Sequence, residues 1–258
     1  MVILTVDKQT VKIEAGELVG YLVDSYEYIH QKGSPGWRNS DTEMFPIIGP
    51  TADADFKVKT PNGIAVQDQH GLLRELQYEL LEQSECKVIF QKRYTADTKI
   101  KNSKYPDKSS VESLFWPYDF LVHKIFHLKK DGLHISFKIS GEQGMPFMLG
   151  YHPAFKLYTE NAVIATKDKK ISIPEIIAVG NRAMHIPKSD SISLNDIKKL
   201  TIKTEGFGSF MLWTEVPNMI CIEPITFYPY AVGQHDLNKG FTYLNDENNN
   251  FTVQLLPN

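Results

Sequence analysis

The chain has 258 residues, 42% of them hydrophobic and 11% aromatic, enough for a sizeable core and too apolar for a disordered segment. A formal net charge of −3 argues against nucleic acid or an anionic membrane surface as partner. The two cysteines, Cys86 and Cys221, stand far apart and make neither CxxC nor zinc spacing, which excludes a disulfide framework and fits a reducing compartment.

Taken from the N-terminus, Met1–Lys8 has no basic region leading into a long apolar stretch, and no run in the chain approaches the roughly 18 apolar residues of a membrane span. A cytoplasmic protein is the expectation. Val2–Val6 opens a series of short apolar runs. Val88 and Phe90 alternate with Ile89 and Gln91, Phe120, Val122, Phe126 and Leu128 alternate less regularly, and Leu133, Ile135, Phe137 and Ile139 alternate strictly with polar neighbours. A period of two describes strands with one buried face. Later runs fall at Val163–Ala165, Ile171–Ile176, Phe210–Trp213, Met219–Ile222 and Phe251–Leu256. Turn residues punctuate them at Pro61-Asn62-Gly63, Asp131-Gly132, Gly141–Gly144, Asn238–Gly240 and Asn248–Asn250; the Lys130–Leu133 junction predicts a hairpin. Thr95–Ser110, polar and carrying Lys99, Lys101, Lys104 and Lys108, predicts a long surface loop. Helical periodicity is scarce, and Ser193–Leu200 is the best place for one or two turns. The pattern predicts an all-β protein, a large antiparallel β-sandwich spanning residues 1–258 as one domain.

Phosphate-loop, dinucleotide, zinc-protease and serine-hydrolase signatures are absent. His123 and His127 lie four apart on a strand, where side chains share a face without converging on one ion, so they read as a solvated face. Three other segments ask for more than a scaffold: Gln67–Glu75, Met145–Phe155 and Asn218–Phe227. The first sets His70 and Arg74 four apart around Gly71. In the other two, His152 and Glu223 each end an apolar run and each precede a proline. A following proline holds them extended and removes the next ladder donor, so strand pairing is expected to stop there. An acid and a base presented among Tyr151, Phe155 and Phe227 make a plausible pocket.

Met44-Phe45-Pro46-Ile47-Ile48-Gly49, Gln69–Glu75, Gly150–Phe155, Ile222-Glu223-Pro224 and Phe115–Phe120 occur in an order and spacing that resembles the aldose 1-epimerase, or galactose mutarotase-like, family, from about Tyr28 to the C-terminus. The resemblance implies a large sandwich with a sugar bound in an open groove. It implies His152 as general acid, Glu223 as general base and His70 as a partner near the ring oxygen, with Arg74 contacting or positioning the sugar. Many relatives carry arginine after the FPxxG stretch where this chain has Pro50, and Arg38 is the candidate to replace that charge. Tyr151, Phe155 and Trp213 are the candidate stacking surfaces. The implied activity interconverts the α and β anomers of a hexose or hexose phosphate, without cofactor or metal, in a monomer or weak homodimer. A non-catalytic sugar-binding protein on the same fold is the alternative. A glycoside hydrolase ranks last, because Glu223 has no second carboxylate in a motif except Asp119, which reads as structural.

Overall fold

A computed structural model describes residues 1–35, 39–246 and 249–258. Three antiparallel sheets account for most of it. The N-terminal sheet is a meander of Val2–Val6, Gln9–Glu14, Glu17–Val23 and Tyr26–Glu27, in that order. It rests against the end of the next sheet, where the Gln9 amide donates to the carbonyls of Lys129 and Lys130.

The large sheet has nine strands, running Lys170–Ser172, Val163–Ala165, Ser191–Asn195, Lys199–Glu205, Asn250–Pro257, Gly132–Gly141, Phe120–Lys129, Lys87–Tyr94 and Glu79–Gln83. The hairpin expected at Lys130–Leu133 forms, with Lys129 opposite Gly132 and Phe120 opposite Gly141. Alternation turns Leu133, Ile135, Phe137 and Ile139 inward, together with Phe120, Val122, Phe126 and Leu128. The irregularity in the second series is Lys124, which also points inward and is fully buried.

The smaller sheet packs across that inner face. Its order is Met184–Pro187, Ser209–Trp213, Met219–Ile225, Gly150–Tyr151 and Glu43–Met44, with Ala154–Lys156 paired to the other end of Met219–Ile225. Phe137 meets Tyr151 at 5.2 Å between ring centroids, and Phe147 meets Phe251 at 6.0 Å, so aromatic contacts join the two layers. A second apolar layer of Met44, Ile48, Met148, Met211 and Ile225 forms a separate cluster. All seven residues of Met219–Ile225 are buried, because both faces of this strand are covered.

Two expectations need correction. Ser193–Leu200 is not helical: Ser191–Asn195 and Lys199–Glu205 pair as a hairpin, Leu194 opposite Leu200. Ile192, Leu194, Leu200 and Ile202 then face the core at the period of a strand. The α-helix is instead Ile173–Val179, inside a run that reads as strand. Ser172 starts it, the Glu175 carboxylate accepting from both the Ser172 amide and hydroxyl, at 2.8 and 2.6 Å. That is the Ser-x-x-Glu capping signature, with Pro174 in the first turn where its missing donor costs nothing. Among the described residues no helix is long and apolar enough to cross a membrane.

Candidate functional site

The site is built where the smaller sheet is interrupted. Gly150–Tyr151 pairs on one side with Met44 and Glu43, then the ladder breaks at His152-Pro153 and resumes at Ala154 opposite Cys221. Pro153 produces the expected break. Pro224 does not end pairing: Phe210 lies opposite Pro224 and Ser209 opposite Ile225. Ala154 pairs with Cys221 and Gly150 with Ile225, so Pro224 falls in the gap between the two short strands, where no donor is required of it.

In that gap His152 and Glu223 meet. His152 Nε2 is 3.3 Å from Glu223 Oε1, and both side chains are almost fully buried. The His152 backbone amide is fixed by the Thr42 carbonyl at 2.8 Å. Burial, and then the Arg74 guanidinium, hold the His152 imidazole down to about 3. Burial pushes the Glu223 carboxyl well above its usual range. Burial thus favours the neutral form of both groups.

His70 arrives from another direction. Its ring centroid lies 5.8 Å from that of His152, edge to face. The backbone at His70 and Gly71 is left-handed in both residues, φ 71° and 76°. A Cβ on Gly71 would sit 2.2 Å from the Phe45 carbonyl oxygen, so only glycine lets the Met44–Gly49 segment approach. That approach is hydrogen-bonded: the Phe45 amide donates to the His70 carbonyl at 3.1 Å and the Leu73 amide to the Phe45 carbonyl at 3.0 Å. The Gly49 amide donates to His70 Nδ1 over a long 3.4 Å, which leaves the proton of the neutral ring on Nε2. The Gln69 amide lies 3.3 Å from Nε2 and meets a protonated Nε2 through its oxygen when the amide is turned. Burial, then His152, Arg74 and Lys104, hold His70 well below the usual histidine range.

These residues line a cleft of about 870 Å³ together with Trp213, Pro50 and Arg74. Arg74 stands in the short 3₁₀ turn Leu72–Glu75 that follows Gly71. The Trp213 ring lies 6.3 Å from that of His152, edge to face. Tyr151 and Phe155 correct the sequence expectation. Both are fully buried in the core between the sheets, because residues on either side of His152 alternate away from the cleft. The Tyr151 hydroxyl donates to Asp41 at 2.7 Å instead of meeting a ligand. Arg38, expected to compensate for Pro50, lies outside the described residues. Asp119 is structural, its carboxylate accepting from the Ala96 amide at 2.7 Å.

Several cleft residues escaped the sequence reading. Tyr230 lines it, with its hydroxyl bonded to the Asn181 carbonyl at 3.1 Å. The aromatic run Phe227-Tyr228-Pro229-Tyr230 after Glu223 was the available signal. Lys104 and Lys108, assigned to a surface loop, also line the cleft. The ligand atoms of His152, Cys221 and Glu223 lie within 4.8 Å of one another, the one group among the described residues with donors placed to hold a metal ion. Burial pushes the Cys221 thiol up as well, so an ion would have to displace protons from both the thiol and Glu223.

The family model described as aldose 1-epimerase matches residues 44–219, which include His70, Arg74, His152 and Trp213 and stop short of Cys221 and Glu223. The chain belongs to the aldose 1-epimerase family. A galactose mutarotase-like protein from Lactobacillus casei ATCC 334 superposes with a TM-score of 0.78 at 16% identity, over 100% of each chain. A galactose mutarotase related enzyme from Lactobacillus acidophilus gives 0.74 at 16% identity, over 98% of this chain and 96% of that one. These similarities establish the galactose mutarotase-like β-sandwich. No curated protein matches the chain.

Proposed function

We propose that the chain is a cofactor-independent aldose 1-epimerase, interconverting the α and β anomers of a hexose or hexose phosphate, with residues 1–258 acting as one domain. The observation that carries this reading is the 3.3 Å approach of His152 Nε2 to Glu223 Oε1 at the buried floor of a cleft open to solvent. Both cysteines are free, which agrees with a cytoplasmic protein, monomeric or weakly dimeric.

Ring opening needs a base at the C1 hydroxyl and an acid at the ring oxygen, two oxygens bonded to the same carbon. Glu223 takes the hydroxyl proton, the O1 electron pair becomes the carbonyl, the C1–O5 bond breaks and O5 takes a proton from His152. Rotation about C1–C2 presents the other aldehyde face, and the same two transfers run backward. The pair starts as carboxylate and imidazolium and ends as carboxylic acid and imidazole. Total proton count is unchanged, and the second form is the one that burial favours. Each half-reaction therefore resets the pair for its reverse, and no proton need enter from solvent. His70 donates from Nε2 to the ring oxygen or a neighbouring hydroxyl. Trp213 offers an apolar face to the sugar.

Exchange NMR on anomeric mixtures of a sugar panel tests the reading. Wild-type protein is expected to accelerate exchange of at least one sugar over buffer, and Glu223→Gln and His152→Asn each to lower that rate by about 10²–10⁴-fold. The pair titrates with two macroscopic values, so the rate forms a plateau bounded by double protonation in acid and loss of the last proton in base. Saturable sugar binding without exchange would instead make the chain a binding protein, the reading that Pro50 in place of an arginine favours.

A further inference from the structure

The lysine-rich loop is not a free surface feature. Asn102 anchors it, its side-chain amide donating to Asp68 Oδ2 at 2.9 Å, to Ser109 Oγ at 3.0 Å and to the Val111 carbonyl at 2.9 Å. Asp68 lies two residues before His70, so this clamp ties the loop to the segment that presents the site. The Lys108 amide donates to the Lys104 carbonyl at 2.8 Å, one turn of chain that brings both lysines to the same wall of the cleft.

Arg74 joins them there. Lys104 shares its charge with Asp68 at 3.1 Å, but Arg74 and Lys108 have no carboxylate partner among the described residues. Glu75, the nearest alternative in sequence, is occupied by the Ser103 hydroxyl at 2.9 Å. The cations repel: Lys104 is held below its usual range by burial first, with Arg74 opposing the pull of Asp68. Both Arg74 and Lys104 depress His70, whereas only Arg74 reaches His152. Through Asp68, two residues before His70, the Asn102 clamp and Lys104 attach this positive wall to the His70 side of the cleft. A protein of net charge −3 sets three cations against one carboxylate, Glu215, in the lining of the cleft that holds the His152–Glu223 pair. Anion recognition explains that arrangement, since unpaired like charges otherwise only destabilise the fold.

We propose that Arg74, Lys104 and Lys108 form a phosphoryl subsite, so that the substrate is a hexose phosphorylated at the end remote from C1. This rests on the epimerase reading of the same cleft. A phosphomonoester carries −1.5 to −2 charges near neutral pH, and its oxygens suit the Arg74 fork with two lysines as point charges. The volume of about 870 Å³ accommodates a pyranose together with a terminal phosphate.

The test is exchange NMR with glucose, galactose, their 6-phosphates and the corresponding uronic acids, beside calorimetric binding of each. Expected is a kcat/KM about tenfold or more higher for a 6-phosphate than for its free sugar, the return of one charge-assisted hydrogen bond. Lys108→Met, at an exposed position that leaves folding intact, is expected to lower that ratio about threefold or more through KM, and Lys104→Met further, with salt acting in the same direction. Turnover of free hexoses at or above the rate of their phosphates overturns the subsite and leaves the epimerase reading standing. A ratio unmoved by either lysine substitution also overturns the subsite. Uronic acids matching the phosphates overturn the phosphoryl assignment in favour of a carboxylate. No turnover, with 6-phosphates bound about tenfold more tightly than free sugars, sinks the epimerase reading and upholds the subsite. No turnover and no such preference sinks both.

Discussion

Two clusters of buried titratable groups lie on opposite sides of the strand break at His152, and they meet burial in opposite ways. Beneath the smaller sheet, Asp41, Glu43, Lys92 and Lys124 stay paired. Lys124 Nζ is 2.8 Å from Asp41 Oδ2 and also bonds Glu43 Oε1, and Lys92 Nζ lies 3.6 Å from Glu43 Oε2. Two cations answer two carboxylates, with the Tyr151 hydroxyl on Asp41 and aromatic rings around the ammonium groups. Lys124, fully buried, is still pushed up, because the pull of its two carboxylates exceeds the penalty of burial. In the cleft, burial is the dominant influence on His152 and Glu223: the Glu223 carboxyl is pushed up and the His152 imidazole down. At equal dryness the ion pairs hold Glu43 and Lys124 charged, although burial still pushes Asp41 up to about 6 and Lys92 down, whereas in the cleft burial shifts both groups towards neutrality. The first cluster holds the Asp41–Glu43 segment, and through the Thr42 carbonyl it fixes the backbone of His152. The second is free to do chemistry.

The contrast can be broken at either end. Lys124→Met strands the buried Asp41 carboxylate, leaves Glu43 with Lys92 alone, and is expected to cost about 3–5 kcal/mol in urea unfolding, the largest loss from any single change here. A double variant adding Asp41→Asn, which leaves Lys92 and Glu43 paired, should recover much of it, and failure to recover would assign the loss to packing. Lys92→Met should cost less, about 1–3 kcal/mol: its Glu43 contact is longer, although the Leu73 carbonyl loses a donor at 2.9 Å. The pH dependence of unfolding reads the cleft. His152 titrates near 3 when folded and near its ordinary 6.5 when unfolded, so in falling pH the unfolded state takes the proton first. Stability present above pH 6.5 is therefore lost on acidification towards 3, at up to about 1.4 kcal/mol per pH unit from this group. His152→Asn should flatten the acid limb by one proton, measured from urea unfolding across pH 4 to 6 on the same linkage, roughly. The smallest cost is expected for Glu223→Gln, none or a gain near neutral pH, because burial pushes the carboxyl up and the folded state must hold a proton that the unfolded chain would release. A cost as large as that of Lys124→Met would mean that Glu223 is ionised and structural, and would erase the contrast.

Much of this architecture was readable in the chain. The strict alternation of Leu133–Ile139 and the turn before it located a central hairpin, and the prolines after His152 and Glu223 marked residues that do converge. What stayed hidden depended on partners distant in sequence. Lys124 and Lys92 look like defects in strand patterns until Asp41 and Glu43, more than forty residues away, are folded against them. Tyr151 and Phe155 flank a cleft histidine in sequence, yet the period of an extended chain turns them inward. Ser193–Leu200 offered helix caps, but cross-strand pairing of Leu194 with Leu200 buried more than an isolated turn could. The Thr95–Ser110 segment lies outside the three large sheets, as expected of a loop, but Ile100–Lys101 within it pairs with Ser113–Leu114, and its return to the cleft hangs on one buried side chain, Asn102.

The strand Met219–Ile225, covered on both faces, sets a timescale as well as a shape. Backbone amides in such a strand exchange with solvent only when the whole domain opens, whereas those of an exposed loop exchange through local fluctuations. Glu223 thus sits on a strand protected on both faces and Lys108 at an exposed position of a loop. Changes of sugar preference can accumulate in the loop, residue by residue, without retuning the proton transfer that the rigid strand holds in place.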